Sequence, residues 1–180
     1  EYDGLHLAQA AGPTVTGTQF LSNGFPSSTR CAVRLGSGDA SWQSGNVGNT
    51  AVGNGRNGIC VQGTLTSNQT WPSTGLPFVL SGSVTVGSDK ILEVRPGVEV
   101  RANQATQLSV AGGLTATDVT FTSANDPPAA GDWFGIGFAP TASSSVLERV
   151  TIKYAGRCCT SFFGITPAQP APVREEKKTS

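Results

Sequence analysis

The feature that most constrains this chain is a short apolar pattern that returns at nearly constant spacing. Gly4-Leu5-His6-Leu7, Ala32-Val33-Arg34-Leu35 and Gly58-Ile59-Cys60-Val61 share a small-apolar-polar-apolar order, 28 and then 26 residues apart. A second register runs beside it. Phe20-Leu21-Ser22-Asn23-Gly24 and Ala51-Val52-Gly53-Asn54-Gly55 each end a short apolar run in Asn-Gly, 31 residues apart. Asn-Gly tolerates the positive φ of a sharp corner, so both copies are expected to turn the chain at the same place. Repeats of this length signal stacked units, because one unit cannot bury its apolar side alone.

Period-two alternation continues through Val84-Thr85-Val86, Val98-Glu99-Val100, Leu108-Ser109-Val110, Val119-Thr120-Phe121, Ile136-Gly137-Phe138 and Val150-Thr151-Ile152. Alternation at this period predicts strands of three to five residues with one face buried. Turn signals such as Arg95-Pro96-Gly97, Ala111-Gly112-Gly113 and Ala139-Pro140 separate them, and no window carries the i, i+3, i+4, i+7 stripe of a helix. The fold class expected is all-β, a parallel β-helix (solenoid) whose coils stack at about 4.8 Å. With 23 glycines, 11 prolines and 13% charged residues, the composition suits such turn-rich architecture. An antiparallel sandwich also has short alternating strands, but its hairpins do not require the repeated Asn-Gly register.

Residues 64–156 carry longer signatures. These include Trp71-Pro72, Leu76-Pro77-Phe78-Val79-Leu80-Ser81-Gly82, Leu92-Glu93-Val94-Arg95-Pro96-Gly97-Val98 and Val119-Thr120-Phe121-Thr122-Ser123. They continue with Gly131-Asp132-Trp133-Phe134-Gly135-Ile136 and Val146-Leu147-Glu148-Arg149-Val150-Thr151-Ile152-Lys153-Tyr154-Ala155-Gly156. This half of the chain resembles the β-helix modules of bacterial secreted and surface proteins, within the broad pectate-lyase-like superfamily. The resemblance implies right-handed winding. Residues 1–63 resemble the end of a preceding module and 64–156 a second module continuous with it. From 157 to 180 the pattern fails, and the proline-rich stretch reads as an extended, irregular tail.

Twelve basic and twelve acidic residues cancel, which argues against a nucleic-acid partner or an anionic membrane surface. No run approaches the roughly 18 apolar residues of a spanning helix. The first residues lack the pattern of a signal peptide, and without methionine the chain reads as processed or excised. Four cysteines suit an oxidising compartment, so a secreted or cell-surface location is expected.

If the apolar residues of the first repeat point inward, His6, Arg34 and Cys60 form an outward column on successive coils. A histidine general acid/base beside an arginine that holds an acidic sugar is sensible chemistry. A polar ladder on a solvated face is the plainer account. Trp42, Trp71 and Trp133 are candidate sugar platforms, with coil capping or core coverage as the alternative. Asp126, in the loop 123–132, is a candidate binding position because loops on a rigid stack are natural contact points. Asn68-Gln69-Thr70 matches the N-glycosylation acceptor pattern, which also arises often by chance. The acids are scattered singly apart from Glu175-Glu176, so no carboxylate pair for glycoside hydrolysis is visible. No metal-ligand spacing and no cofactor motif appear.

Cys158 and Cys159 are candidates to pair with other chains or with Cys31 and Cys60, with buried or incidental thiols as the equal alternative. The inferred register sets Cys31 opposite Asn57 and Cys60 opposite Arg34, about 10 Å apart, so a direct Cys31–Cys60 bridge looks strained unless a bulge intervenes. The function expected is a non-catalytic extracellular β-solenoid for adhesion, glycan contact or scaffolding, with self or polysaccharide as partner and head-to-tail stacking into filaments as its polymeric form. The alternative is a polysaccharide-active lyase or glycoside hydrolase of the same superfamily. Ice binding is disfavoured, because the Thr-x-Thr pairs lack a constant repeat.

Overall fold

The computed structural model describes residues 3–8, 12–24, 29–36 and 40–157. Within them the chain is all β, without a helix, and every strand pair is parallel. One face of the solenoid stacks, in chain order, β1 (Leu5–Leu7), β3 (Cys31–Leu35), β5 (Arg56–Leu65), β7 (Phe78–Val86), β9 (Glu99–Ala102), β12 (Thr120–Ser123) and β15 (Thr151–Ile152). A second face joins the far ends of β5 and β7 to β10 (Gln107–Val110) and β13 (Gly135–Phe138). The third consists of β6 (Gln69–Trp71), β8 (Ile91–Val94), β11 (Gly113–Thr117) and β14 (Val146–Glu148). In the first coils β2 (Gln19–Leu21) pairs with β4 (Thr50–Val52). No helix among the described residues is long and apolar enough to cross a membrane.

The core lies inside the coils because alternate side chains of each strand point there. On the first face Leu5, Val33, Ile59, Phe78, Val100, Phe121 and Ile152 form one inward column through successive register pairs. Val33, Ile59, Phe78 and Phe121 are fully buried. Trp71 stacks flat on Phe78 at 4.7 Å between centroids, tying the third face to the first. The expected outward column is also present, with His6 opposite Arg34 and Arg34 opposite Cys60.

The repeated corners stack as expected, Phe20 on Ala51 and Leu21 on Val52. Their conformation differs from the expectation. Positive φ falls on Ser22 and Gly53, one residue before each asparagine, and again on Gly24. The asparagines instead link coils: Asn54 Oδ1 accepts from the Asn23 backbone N–H at 2.9 Å and from Asn23 Nδ2 at 2.8 Å. Asn46 and Asn49 accept from the backbones of Val15 and Thr18 at the same offset of 31 residues. These side chains satisfy backbone donors where the first coils have few ladder bonds.

Register also changes the reading of the cysteines. Cys31 lies opposite Arg56, not Asn57, because β5 holds one extra residue between Arg56 and Ile59 than β3 holds between Cys31 and Val33. At this register irregularity the two cysteines stand at a Cα separation of 6.0 Å and form a disulfide. Cys158, Cys159 and the tail beyond them lie outside the described residues.

Candidate functional site

The outward column does not stay a solvated ladder. Cys60 is followed by Val79, then Arg101, then Thr122. Cys31, Cys60 and Val79 are buried in a small cluster of their own, outside the main core, with Ala124 packed against it. Over this apolar floor lies a groove of about 630 Å³. Its polar walls are Arg56 and Arg101, the amides Asn57 and Asn125, and Asp126. A shallower trough of about 320 Å³ continues past Arg101 and Asp126 to Lys153 and Tyr154.

Each group is held by a local cause. Arg56 sits at the bulge, donating through Nε to Asn103 Oδ1 at 2.7 Å and through Nη1 to the Gly55 carbonyl at 2.9 Å. Arg101 stands on β9 with its side chain 40% exposed and pairs through Nη2 with Glu99 at 3.0 Å. Its Nε and Nη1 make no hydrogen bond to another described residue. Lys153 Nζ lies 5.9 Å from the centroid of the Tyr154 ring.

The loop carrying Asn125 and Asp126 leaves β12 and returns at Asp132, which fastens its base. Asp132 Oδ2 accepts from the Ala129 backbone N–H at 2.9 Å and from Ser123 Oγ at 2.6 Å. These bonds hold the Asp132 carboxyl below the usual aspartate range, the Ala129 N–H contributing most. A depressed carboxyl stabilises the folded loop above the unfolded value of 3.8, and this is lost as pH falls through the lower folded value. Hydrogen exchange at the Ala129 amide should therefore be unchanged from neutral pH down to about 5, once the intrinsic exchange rate is corrected for, and lose protection below about 3.8. Asp132→Asn should lose much of that protection at neutral pH. Equal protection in parent and variant would sink this account of the loop.

The residues expected from sequence are dispersed. His6 is exposed and lies beside Arg34 in register, but Arg34 is a strut across coils. Its Nε meets Asp3 at 2.6 Å, Nη2 donates to the Thr29 carbonyl at 3.0 Å and Nη1 to Ser81 Oγ at 3.3 Å. Burial pushes the Asp3 carboxyl up, but the Arg34 guanidinium and the Cys31 N–H leave it below its ordinary value. Trp42, Trp71 and Trp133 are all core residues, at most 2% exposed, so their faces pack against protein and not solvent. Asp126 alone among the expected binding residues lines the groove. Cys60 points away from the coil interior as expected, yet it is buried, because the disulfide, Val79 and Ala124 close over it.

Arg56, Arg101, Lys153 and Tyr154 were not anticipated. Extending the outward phase of His6, Arg34 and Cys60 into later coils would have found Arg101. Among the described residues no three His, Cys, Asp or Glu side chains cluster as metal ligands. Comparison of the chain with protein-family models, with curated proteins and with solved structures finds no match.

Proposed function

We propose that this chain is a non-catalytic extracellular β-solenoid, a right-handed module of the bacterial secreted and surface type, whose outer face contacts glycan. The observation that carries this reading is the groove over the Cys31–Cys60 cluster. It has an apolar floor, amide and guanidinium walls, and a loop fastened in place before any ligand arrives. Such preorganisation lowers the ordering cost of binding. Sugars offer apolar C–H faces and hydroxyl rims, which match this floor and these walls. The disulfide supports an oxidising compartment.

Self-stacking has its own support. The inward columns end on Phe138, Leu147 and Ile152, which are 41%, 41% and 46% exposed. A second copy stacked on this end would bury them.

One experiment addresses both. Light scattering on a sizing column reads the oligomeric state. The same sample is then passed over immobilised neutral and charged polysaccharides while reducing ends and unsaturated products are assayed. Retention without product release is the expected result for glycan contact and a ladder of oligomers is the expected result for stacking, whereas a clean monomer would end the stacking reading alone. Turnover would replace the glycan-contact reading with a polysaccharide-active enzyme, and no retention on any glycan would end it.

A further inference from the structure

Arg101 is the one residue shared by the deep groove and the trough beyond it that carries a guanidinium. Two of its nitrogens make no hydrogen bond to other described residues. Arg56 stands in the groove on one side of it, and Lys153 in the trough on the other. We propose that this continuous surface binds a carbohydrate chain bearing carboxylate or sulfate groups, laid along the stack axis, with Arg101 as its central anion contact. The inference rests on the glycan-contact reading and adds the class of ligand.

Charge and length both support it. Within the two cavities Arg56, Arg101 and Lys153 face Asp126 and Glu99, and Glu99 is already engaged by Arg101. Cation therefore exceeds anion along the surface, and a planar guanidinium with free donors donates paired hydrogen bonds to carboxylate or sulfate oxygens. Arg56 and Arg101 stand on β5 and β9 and Lys153 directly follows β15, four strand spacings from first to last through β7 and β12. At about 4.8 Å per spacing the track is roughly 19 Å long, which suits an oligomer with repeated anionic groups. Tyr154, half-buried beside Lys153, offers an aromatic edge at one end, and Val79 with Ala124 offers an apolar floor at the other.

The test is titration of the whole chain with heparin, hyaluronan and dextran fragments of equal length, read by calorimetry at low and at high salt. Expected is tighter binding of heparin or hyaluronan than of dextran, weakened by salt as screening of charge requires. Hyaluronan carries carboxylate alone and heparin carries both groups, so binding of hyaluronan shows that carboxylate suffices, and binding of heparin alone shows that sulfate is required. Arg101→Ala should weaken the charged ligand about tenfold or more, the scale of losing a charge-assisted hydrogen bond. Arg101→Lys should lose less, and Arg95→Ala, which lies outside both cavities, should bind like the parent. Circular dichroism confirms that each variant is folded. Dextran bound as tightly as heparin and hyaluronan, or an unaffected Arg101→Ala, would overturn the anion contact while leaving glycan binding intact. Failure of all three polysaccharides would remove both.

Discussion

Trp133→Ala should cost about 3–5 kcal/mol of folding stability, the range for deleting a buried large aromatic side chain. The indole is fully buried, and its Nε1 donates to the Lys153 carbonyl at 2.9 Å. The Trp133 carbonyl in turn accepts from the Arg157 backbone N–H at 3.1 Å, so this one residue ties the segment after β15 to the coil below it. Removing the ring opens a cavity that rigid coil neighbours cannot refill, and it leaves the Lys153 carbonyl without this partner. Trp133→Phe keeps most of the apolar volume and loses the donor, so a cost of about 1–3 kcal/mol is expected. Urea unfolding measures both, with the midpoint falling at nearly constant slope. A Trp133→Ala variant as stable as the parent would mean that the indole is no core residue and would return it to the list of sugar platforms.

Removing the Cys31–Cys60 bridge should cost about 3–4 kcal/mol, the chain-entropy value for a closed loop of its length, 29 residues. The paired substitution Cys31→Ala with Cys60→Ala tests this without leaving a reactive partner thiol. Parent protein in reductant should unfold at a similarly lowered urea midpoint. Peptide mapping under non-reducing conditions should recover residues 31 and 60 in one linked fragment. A linked fragment with no change in midpoint would place the bridge outside the stabilising framework. Because Val79 and Ala124 pack on the bridge, the paired variant should also bind groove ligands more weakly.

The two expectations about these residues fared differently for one reason. The strands around Trp133, and the inward apolar residues of β7, β9, β10 and β12, were legible because a period-two apolar pattern reports directly which residues face the core, whereas the burial of Ser109 and Thr122 on the other face of β10 and β12 was not. The stacking of His6 on Arg34 and of Arg34 on Cys60 was legible because the same four-residue pattern recurs three times. The disulfide was not. Arg56-Asn57-Gly58 contains no apolar marker, so an extra residue there leaves no trace in the alternation, and the local departure from regular pairing beside Cys31 could not be read from it. The corner asparagines were found at the right place, with a role in linking coils that φ preference alone does not reveal.

The candidate site was legible only at Asp126. Outward-facing residues can be read from alternation, but which of them become neighbours depends on the length of each coil. That length is 19 residues from Cys60 to Val79, 22 from Val79 to Arg101 and 21 from Arg101 to Thr122. Lys153 and Tyr154 reach the trough after the longer coil from Thr120 to Thr151, which includes the loop fastened by Asp132. A stack of short parallel strands could be read from residue order alone, because apolar alternation and recurring corners are local properties that each coil repeats. That Arg56, Arg101 and Lys153 share one surface, and that two distant cysteines meet beneath it, follows from how the coils are registered on one another. Register belongs to pairs of strands, and one inserted residue or one longer coil changes every neighbour on the outer face.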